Sequence, residues 1–354
     1  METFVILIHA EGYFRALIFF ATSTLLCFLL CFNFPRFWAA LGLASGPVEP
    51  AYNYHSSLPS GAGLIFSSVY ITGGLIAQSA GYHFLESADL FFYLAPLFLM
   101  SVAGFLDDIF EFPWFPRLVF YSLTSLFFVV LTQPSGLFSE YETQNSEIIS
   151  LSLSVLVLLW MTNLYNFMDG IDGLAASQAI FVLVSVSFIS LFFGESTPSP
   201  FLFFLIGPLI GFLSLNLPKA KIFMGDSGSI FLGFFFGITL LHEIDVPIWC
   251  WLILLGWFIA DGTCTAIVRF LRGENLAKKH QSHVYQHLSR KFGVWKALMV
   301  VHSCNLFWLF PMASFCFLNP QIGGQIFIAA ILPLFVLHLY SGCGQAKPYF
   351  LRDK

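Results

Sequence analysis

Apolar runs of about 20 residues recur along almost the whole chain, and this pattern constrains the fold more than any other feature of the sequence. A run of this length crosses a bilayer as a helix, because in lipid every backbone polar group must find its hydrogen bond within the segment. Of the 354 residues, 58% are hydrophobic and 10% are charged, whereas a soluble domain carries about 25% charged residues. The sequence therefore predicts an all-α, polytopic membrane helix bundle that forms a single integral membrane domain over residues 1–354.

The breakers between the runs and the distribution of basic residues predict the topology. We expect about eleven transmembrane helices, at residues 15–34, 61–83, 90–106, 117–133, 147–165, 174–193, 200–217, 229–243, 247–268, 297–317 and 324–341. With this count, all of the 15 basic residues except Arg15 fall on the same side of the membrane. Because Lys and Arg are retained on the cytoplasmic side, the N-terminus is predicted outside and the C-terminus in the cytoplasm.

Charge and cysteine usage exclude several other classes of protein. The net charge is −5 and the basic residues form no stripe, so no nucleic-acid partner is expected. The seven Cys include no CxxC pair, so neither a disulfide framework nor a zinc ribbon is expected. The pairs Gly207/Gly211 and Gly233/Gly237 have the spacing that lets membrane helices approach closely. They indicate either a crowded bundle or the interface of a homodimer.

Two adjacent acids, Asp107 and Asp108, end the third predicted span. Acids at a membrane boundary are costly and need a reason. The pair could bind Mg²⁺, or one member could serve as a base whose pKa is raised by its neighbour. A solvated loop turn is the structural alternative.

A second polar group carries Asn163, Asn166, Asp169 and Asp172 at every third position, followed by glycines. On a helix these residues form one ridge that advances towards the cytoplasm. Their oxygens are hard ligands of the kind that Mg²⁺ takes. Helix capping by Asp169 and Asp172 would be a structural alternative, but it does not explain two Asn residues within an apolar span.

A third group, Gly225-Asp226-Ser227-Gly228-Ser229, opens the eighth predicted span. Asp and Ser before an apolar run are ordinary N-cap residues. A helix N-terminus with nearby glycines is also an anion site, suited to a diphosphate and its metal.

The longest predicted cytoplasmic loop contains Lys278, Lys279, His280, His283 and His287. These side chains could offer hydrogen bonds and positive charge to phosphate or sugar oxygens, or they could form a solvated basic loop. A zinc site would lack its fourth ligand.

All four polar groups lie on the same predicted side of the membrane. Their acids, the anion-binding helix start and the basic loop together indicate phosphoryl transfer. A cytosolic nucleotide compound would then be the donor and a lipid the acceptor.

These motifs resemble the polyprenyl-phosphate N-acetylhexosamine-1-phosphate transferase family, which includes the phospho-N-acetylmuramoyl-pentapeptide translocases. The paired Asp motif looks like Asp107-Asp108, the NxxNxxDGxDGL motif matches Asn163 to Leu174, and the GDSGS loop matches Gly225 to Ser229. The HxSHxYQ form of His280 to Gln286 is closest to the branch that initiates O-antigen synthesis. Two positions depart from the pattern: Ser60 stands where Arg is expected, and Arg117 follows the Asp pair only after an unusual Phe-Pro-Trp-Phe-Pro segment.

The resemblance implies a Mg²⁺-dependent phosphoglycosyltransferase of the bacterial inner membrane, with Mn²⁺ able to substitute. It would transfer an N-acetylated amino-sugar 1-phosphate from a UDP-sugar to undecaprenyl phosphate and release UMP, the first membrane step of O-antigen, lipopolysaccharide or related glycan synthesis. The active site would comprise the cytoplasmic loops 35–60, 107–116, 166–173, 218–228 and 269–296. Whether the reaction is one displacement or passes through a phospho-Asp enzyme stays open at this stage.

The resemblance also implies a role for each matching residue. It makes Asp107 the candidate base with Asp108 supporting it, and Asn166 and Asp226 the metal ligands. The implied substrate-binding residues are Asn163, Asp169, Asp172, Phe223, Arg117, His280 and His283, among which Phe223 would stack on uracil. An ion-coupled transporter and an inactive scaffold homologue are the alternatives.

Overall fold

The structure is a computed structural model that describes residues 2–40, 42, 58–81, 90–133, 144–194, 199–276, 278 and 280–345. Within these ranges all regular secondary structure is helical, which confirms the all-α prediction. The α-helices there are α1 (Glu2–Ala40), α2 (Gly63–Ser79), α3 (Leu90–Phe110), α4 (Trp114–Thr132), α5 (Gln144–Met168), α6 (Leu174–Phe193), α7 (Pro200–Asn216), α8 (Gly225–Leu241), α9 (Ile248–Leu254), α10 (Gly256–Leu271), α11 (Val284–Phe292), α12 (Val294–Cys304), α13 (Phe310–Leu318) and α14 (Gly323–Tyr340).

The helices form a membrane-spanning bundle. In the described ranges, seven helical segments are long and apolar enough to cross a bilayer, or up to eight if the bent pair α9 and α10 is one span. Large apolar side chains such as Leu17, Leu123 and Ile328 are exposed on the outside of the bundle, where lipid would cover them. Three shorter apolar helices, α2, α7 and α8, have 17 residues each, near the lower limit of about 17 for a span. The count of eleven and the orientation of the termini stay predictions.

Helix α8 lies at the centre of the bundle and organises the site. All of its residues from Ser227 to Leu241 are buried, and it packs along both α3 and α5. A Cβ atom on Gly104 would collide with the backbone of Asp226, so this glycine allows α3 to touch the start of α8. The last turn of α3 and the first turn of α8 are thereby brought together.

The ninth predicted transmembrane helix, residues 247–268, is bent rather than straight. Helices α9 and α10 meet at an angle of 72°, with Leu255 outside helical geometry at φ −84° and ψ 3°. Helix α10 begins at Gly256, where a Cβ atom would lie 2.6 Å from the side chain of Ile331 in α14. A break at a glycine in a crowded contact is a recognised cause of a helix kink.

Several predicted loop boundaries differ from the structure. Helix α3 extends to Phe110, so Asp107 and Asp108 lie in its last helical turns and not in a loop over 107–116. Helix α1 extends to Ala40, and residues 43–57 of the predicted loop 35–60 lie outside the described residues. The predicted loop 269–296 contains the amphipathic helix α11. In α1 and α3 the helix continues beyond the apolar run that predicted it, whereas α11 is a separate amphipathic helix that no apolar run indicates.

The glycine pairs are used for packing within the chain. A Cβ atom on Gly207 would lie 2.6 Å from Ser23 Oγ, and one on Gly211 would lie 2.5 Å from the carbonyl oxygen of Thr24, both in α1. The corresponding contact of Gly233 is with Met161 in α5. The pairs therefore account for a crowded bundle and give no support to a homodimer.

Candidate active site

Asp107 and Arg117 form the ion pair at the edge of the site. The guanidinium Nη1 of Arg117 donates to Asp107 Oδ2 and, at 3.0 Å, to Asp226 Oδ2. Asp107 Oδ1 also accepts a hydrogen bond of 2.8 Å from the backbone N–H of Phe112. Arg117 is in the first turn of α4, so the short 111–113 turn places it opposite the end of α3. One basic side chain thus joins two of the predicted acids.

Asp108 binds the N-terminus of α8. Its Oδ1 accepts from the backbone N–H of Asp226 at 2.9 Å, and its Oδ2 accepts from that of Ser227 at 3.1 Å. The hydroxyl of Ser60 donates to Oδ1 at 3.2 Å. A carboxylate at the start of a helix satisfies donors that have no partner within the helix, and it interacts favourably with the helix dipole. The anion bound at the predicted helix N-terminus in this structure is therefore the carboxylate of Asp108.

Gly225 makes this contact between Asp108 and α8 possible. Its φ is +71°, in the left-handed region that favours glycine. A Cβ atom at this position would also collide with the Asp108 carboxylate. The glycine of the GDSGS segment is therefore required both by its backbone conformation and by the close approach of α3.

Asn166 and Asp226, the two predicted metal ligands, are in contact with each other. The Asn166 amide donates to Asp226 Oδ1 at 2.9 Å and to the hydroxyl of Ser229 at 2.9 Å. Asn166 is near the end of α5 and Asp226 is in the first turn of α8. The contact joins two motifs that are 60 residues apart in the chain.

Asp169 follows the end of α5 and faces the same acids. Burial and, to a smaller extent, the charges of Asp108 and Asp172 raise the pKa of its carboxyl to about 7. A carboxyl with such a pKa is partly protonated at neutral pH, and a bound cation would favour its ionised form. Perturbed groups of this kind mark functional sites more often than structural ones.

Asp172, Phe223 and Asn163 each make a contact within the chain. Asp172 is buried and accepts a hydrogen bond of 3.1 Å from the backbone N–H of Ala220, so it fixes the loop before α8. Phe223 pairs its backbone N–H with the carbonyl of Pro59 at 3.0 Å, while its ring is half-buried. Asn163 donates to the carbonyl of Leu159 at 2.7 Å, one turn back along α5. Asp172 thus holds the loop before α8, and its predicted role in substrate binding stays a prediction.

The His-containing segment is held by Asp261, a residue that the sequence reasoning missed. Asp261 is fully buried in α10 and accepts hydrogen bonds from the backbone N–H groups of Val284 and Tyr285, at 2.9 and 3.0 Å. His283 Nδ1 lies 3.3 Å from the same carboxylate. The signal was available, because an acid within an apolar run is by default a functional residue.

His283 and His280 have different environments. His283 is 1% exposed and its Nδ1 faces Asp261, so it helps to anchor the segment, and its predicted contact with the donor stays a prediction. His280 is half-buried, its ring stacks on His283 with 5.0 Å between centroids, and its Nδ1 lies 2.9 Å from the Ser282 hydroxyl. Burial lowers the pKa of His280 to about 4, and burial likewise lowers the pKa of His287 to about 4. These two His are therefore neutral at physiological pH and offer hydrogen bonds rather than positive charge.

The His-containing segment packs against the end of α5. The Tyr285 hydroxyl donates to the carbonyl of Phe167 at 3.0 Å, and the rings of Phe167 and His280 are 6.4 Å apart. A Cβ atom on Gly170 would collide with the Tyr285 hydroxyl. The segment thus forms a wall of the same site as Asn166 and Asp169, as the sequence predicted.

The residues fit a magnesium ion that shares its coordination with a substrate. Asp107, Asp108 and Asp226 come together with Arg117 as their basic partner, and this excess of negative charge favours a cation. Among the described residues no group of three or more His, Cys, Asp or Glu could hold a metal by itself. Mg²⁺ usually keeps several waters and is bound by one or two carboxylates together with substrate phosphates. The pair Asn166 and Asp226 matches that second kind of site.

Comparison with known proteins agrees with this fold and arrangement of motifs. Residues 90–243, which include nine of the eleven predicted site residues, match Glycosyl transferase family 4. The chain is 27% identical over 287 residues to a probable undecaprenyl-phosphate N-acetylglucosaminyl 1-phosphate transferase of Bacillus subtilis, covering 78% of this chain and 75% of that protein. It is 30% identical over 280 residues to a phospho-N-acetylmuramoyl-pentapeptide-transferase of Campylobacter lari, covering 68% of this chain and 77% of that protein.

A third relative is the undecaprenyl-phosphate alpha-N-acetylglucosaminyl 1-phosphate transferase of Thermotoga maritima. It is 28% identical over 224 residues, with 63% of this chain and 69% of the relative covered. The fold and site define a multi-pass membrane protein with a carboxylate-rich site at one end of its helices. The chain belongs to Glycosyl transferase family 4, in the polyprenyl-phosphate sugar-phosphate transferase group to which the sequence resemblance assigned it.

Proposed function

We propose that this protein transfers an N-acetylated amino-sugar 1-phosphate from a UDP-sugar to undecaprenyl phosphate, giving undecaprenyl-diphosphate-sugar and UMP. The observation that carries the proposal is the contact of Asn166 and Arg117 with the same carboxylate, that of Asp226, at the start of α8. This arrangement combines hard oxygen ligands with a guanidinium, the groups that phosphoryl transfer needs for positioning and for charge stabilisation. The names of the relatives support undecaprenyl phosphate as the acceptor and an N-acetylated amino-sugar 1-phosphate as the group transferred.

The proposed reaction is a displacement at the β-phosphorus of the donor. An oxygen of the lipid phosphate forms a new bond to that phosphorus, and the bond between the phosphorus and the oxygen bridging to the α-phosphate breaks. UMP leaves with the bridging oxygen. Asp107 takes the proton of the lipid phosphate when the acceptor enters as its monoanion, and Asp108 keeps α8 in register by binding its first N–H groups.

Asn166 and Asp226 are the residues that we propose hold Mg²⁺. When bound, the ion neutralises charge on the donor diphosphate and on the leaving UMP. Arg117 is the remaining cationic group in contact with these acids, and we assign it to the phosphate of the acceptor. His280, which is neutral, would donate or accept a hydrogen bond at the sugar or the diphosphate.

We further propose that the site faces the cytoplasm of a bacterial inner membrane and serves the first membrane step of O-antigen, lipopolysaccharide or a related envelope glycan. The bias of basic residues towards one side supports the orientation. The HxSHxYQ form of the segment from His280 supports the O-antigen branch.

The two rival functions are less well supported. An ion-coupled transporter would carry its acids near the bilayer midplane, on discontinuous helices, whereas Asp107 is in the last turn of α3 and Asp226 in the first turn of α8. An inactive scaffold was suggested by Ser60, yet its hydroxyl contacts Asp108 and leaves the acids in place.

Transfer of radiolabel from a panel of UDP-sugars into an organic-extractable lipid tests the proposal and identifies the sugar. The panel should include UDP-GlcNAc, UDP-GalNAc and UDP-linked 6-deoxy amino sugars, each with undecaprenyl phosphate in nanodiscs. We expect one N-acetylated donor to give labelled lipid that depends on the acceptor. Label entering the lipid from none of them would contradict the proposal.

A further inference from the structure

Tyr121 presents a buried hydroxyl that has no hydrogen-bond partner in the described part of the chain. The residue is 5% exposed and lies in the middle of α4. Burying a hydroxyl without a partner is unfavourable, and such groups are rare in native structures. A ligand that binds next to Tyr121 would supply the missing hydrogen-bond partner of its hydroxyl.

The position of Tyr121 indicates where that partner lies. Tyr121 follows Arg117 by four residues on α4, so the two side chains share one face of the helix. It is close enough to interact electrostatically with Arg117, Asp107, Asp108 and Asp226. Tyr121 thus lies on the helix face of Arg117, near the carboxylate cluster, although no sequence motif contains it.

Arg117 carries a second buried donor that has no hydrogen-bond partner among the described residues. Its Nη1 contacts Asp107 and Asp226, while its Nε–H is buried and has no partner among the described residues. A phenol O–H and a guanidinium N–H on one helix face are two donors without an acceptor. A donor pair of this kind is suited to an oxyanion rather than to a metal ion, and guanidinium groups bind phosphate oxygens particularly well.

We propose that Tyr121 is a further substrate-binding residue, whose hydroxyl donates a hydrogen bond to a phosphate oxygen that Arg117 binds at the same time. The ligand class is a phosphate ester, supplied either by the lipid acceptor or by the nucleotide donor. This inference rests on the proposed function for the identity of the two substrates. It does not rest on turnover, because binding of each phosphate can be measured alone.

The experiment compares the full-length protein and its Tyr121→Phe variant in nanodiscs by thermal unfolding, with three probes added separately. Farnesyl phosphate represents the acceptor, farnesol is the same chain without the phosphate, and UDP-GlcNAc represents the donor. Phe keeps the ring and its packing, and it removes a hydroxyl that has no partner. We therefore expect the unliganded variant to have the same or a higher Tm.

For the ligands we expect an apparent Kd about tenfold or more weaker in the variant, the effect of losing one hydrogen bond to a charged group. If the loss affects farnesyl phosphate and not farnesol, the phosphate is the acceptor's. If it affects UDP-GlcNAc, the phosphate is the donor's. Equal affinity of the variant and the wild type for both phosphates would overturn the inference.

Tyr70→Phe is the matched control. The Tyr70 hydroxyl is also buried, but it donates to the carbonyl of Phe201 at 2.8 Å, away from the acids. We expect this variant to have a lower Tm and unchanged affinity for every probe. A wild-type protein that binds phosphate through Tyr121 but releases no UMP would refute the proposed function and leave this inference standing.

Discussion

The carboxylate of Asp108 accepts a hydrogen bond of 2.9 Å from the backbone N–H of Asp226, and this contact joins the end of α3 to the start of α8. Asp107, the neighbouring acid, instead pairs with Arg117, which also contacts Asp226. The two adjacent acids therefore have different partners. Asp108 holds the start of α8 in place, and Asp107 lies beside Arg117, where we propose that it acts on the acceptor.

Asp107→Asn should lower kcat by about 10²-fold or more, the usual effect of losing a general base. The KM for the UDP-sugar should change little, since Asp107 would act on the acceptor and not on the donor. Steady-state rates against each substrate measure both quantities. A variant that keeps kcat and only weakens donor binding would make Asp107 a binding or metal residue.

Asp108→Asn is the matched comparison for this prediction. Asp108 accepts hydrogen bonds from two backbone N–H groups. In the variant, the amide nitrogen would face one of them, so a repulsive contact would replace that hydrogen bond. We expect a loss of about 1–3 kcal/mol in the free energy of unfolding, seen as a lower Tm. Asp107→Asn should lower Tm less, because its Arg117 partner is partly exposed.

Removal of divalent ions should abolish turnover, and added Mg²⁺ or Mn²⁺ should restore it, since both accept the same oxygen ligands. Asp226→Ala should be inactive at every Mg²⁺ concentration, while its helical circular dichroism stays that of the wild type. Ser229→Ala removes only the hydroxyl that accepts from Asn166 and should retain activity with a higher Mg²⁺ requirement. Activity of Asp226→Ala at saturating Mg²⁺ would exclude this carboxylate as a ligand.

The pH dependence of kcat/KM should show no contribution from a protonated His280. Its pKa in the folded protein is about 4, so the side chain stays neutral across its ordinary titration range near about 6.5. The kcat/KM profile of His280→Gln should therefore run parallel to that of the wild type above about pH 6. A limb near pH 6.5 in the wild type that disappears in the variant would show that a charged His280 is required.

The lowered pKa values of His280 and His287 determine how the stability of the folded protein changes with pH. The unfolded chain binds protons at His280 and His287 with a pKa of about 6.5, whereas the folded chain does so at about 4. Between these values the unfolded state holds more protons, so stability is fully present above about pH 6.5 and is lost as pH falls towards 4. Replacing His287 with Gln should make the melting temperature less sensitive to pH in this window.

Cysteine labelling tests the predicted orientation. Arg272 and Gln321 are both exposed, and they fall on opposite sides of the predicted topology. Arg272→Cys should react with a membrane-impermeant maleimide only from the cytoplasm, and Gln321→Cys only from outside. The native Cys give a low background, because six are buried and only Cys304 is intermediate. Labelling of both positions from the same side would contradict the eleven-span topology.

The sequence predicted the helices and the contacts between motifs, and it failed where a side chain acts through tertiary packing. Apolar runs and breakers locate helices reliably because lipid permits few alternatives. The pairing of Asn166 with Asp226 followed from motif resemblance and is present in the structure. The burial of His283 on Asp261 could not be predicted, because no local pattern links α10 to the segment before α11.

The bend between α9 and α10 and the position of Tyr121 were missed for a related reason. A single glycine at Gly256 has no special meaning until the side chain of Ile331 is seen beside it. In the sequence, Tyr121 is one of many aromatic residues in an apolar span, and no pattern distinguishes it. Its importance comes from the acids that the fold brings near it.

The most direct test of the proposed function is the release of uridine nucleotide by the purified protein in nanodiscs, with and without undecaprenyl phosphate. A donor carrying label in both the uridine and the sugar follows the two products together. We expect UMP, and not UDP, to form in an amount equal to the labelled lipid, and only when acceptor and Mg²⁺ are present. Release of UDP, or formation of UMP without any lipid product, would contradict it.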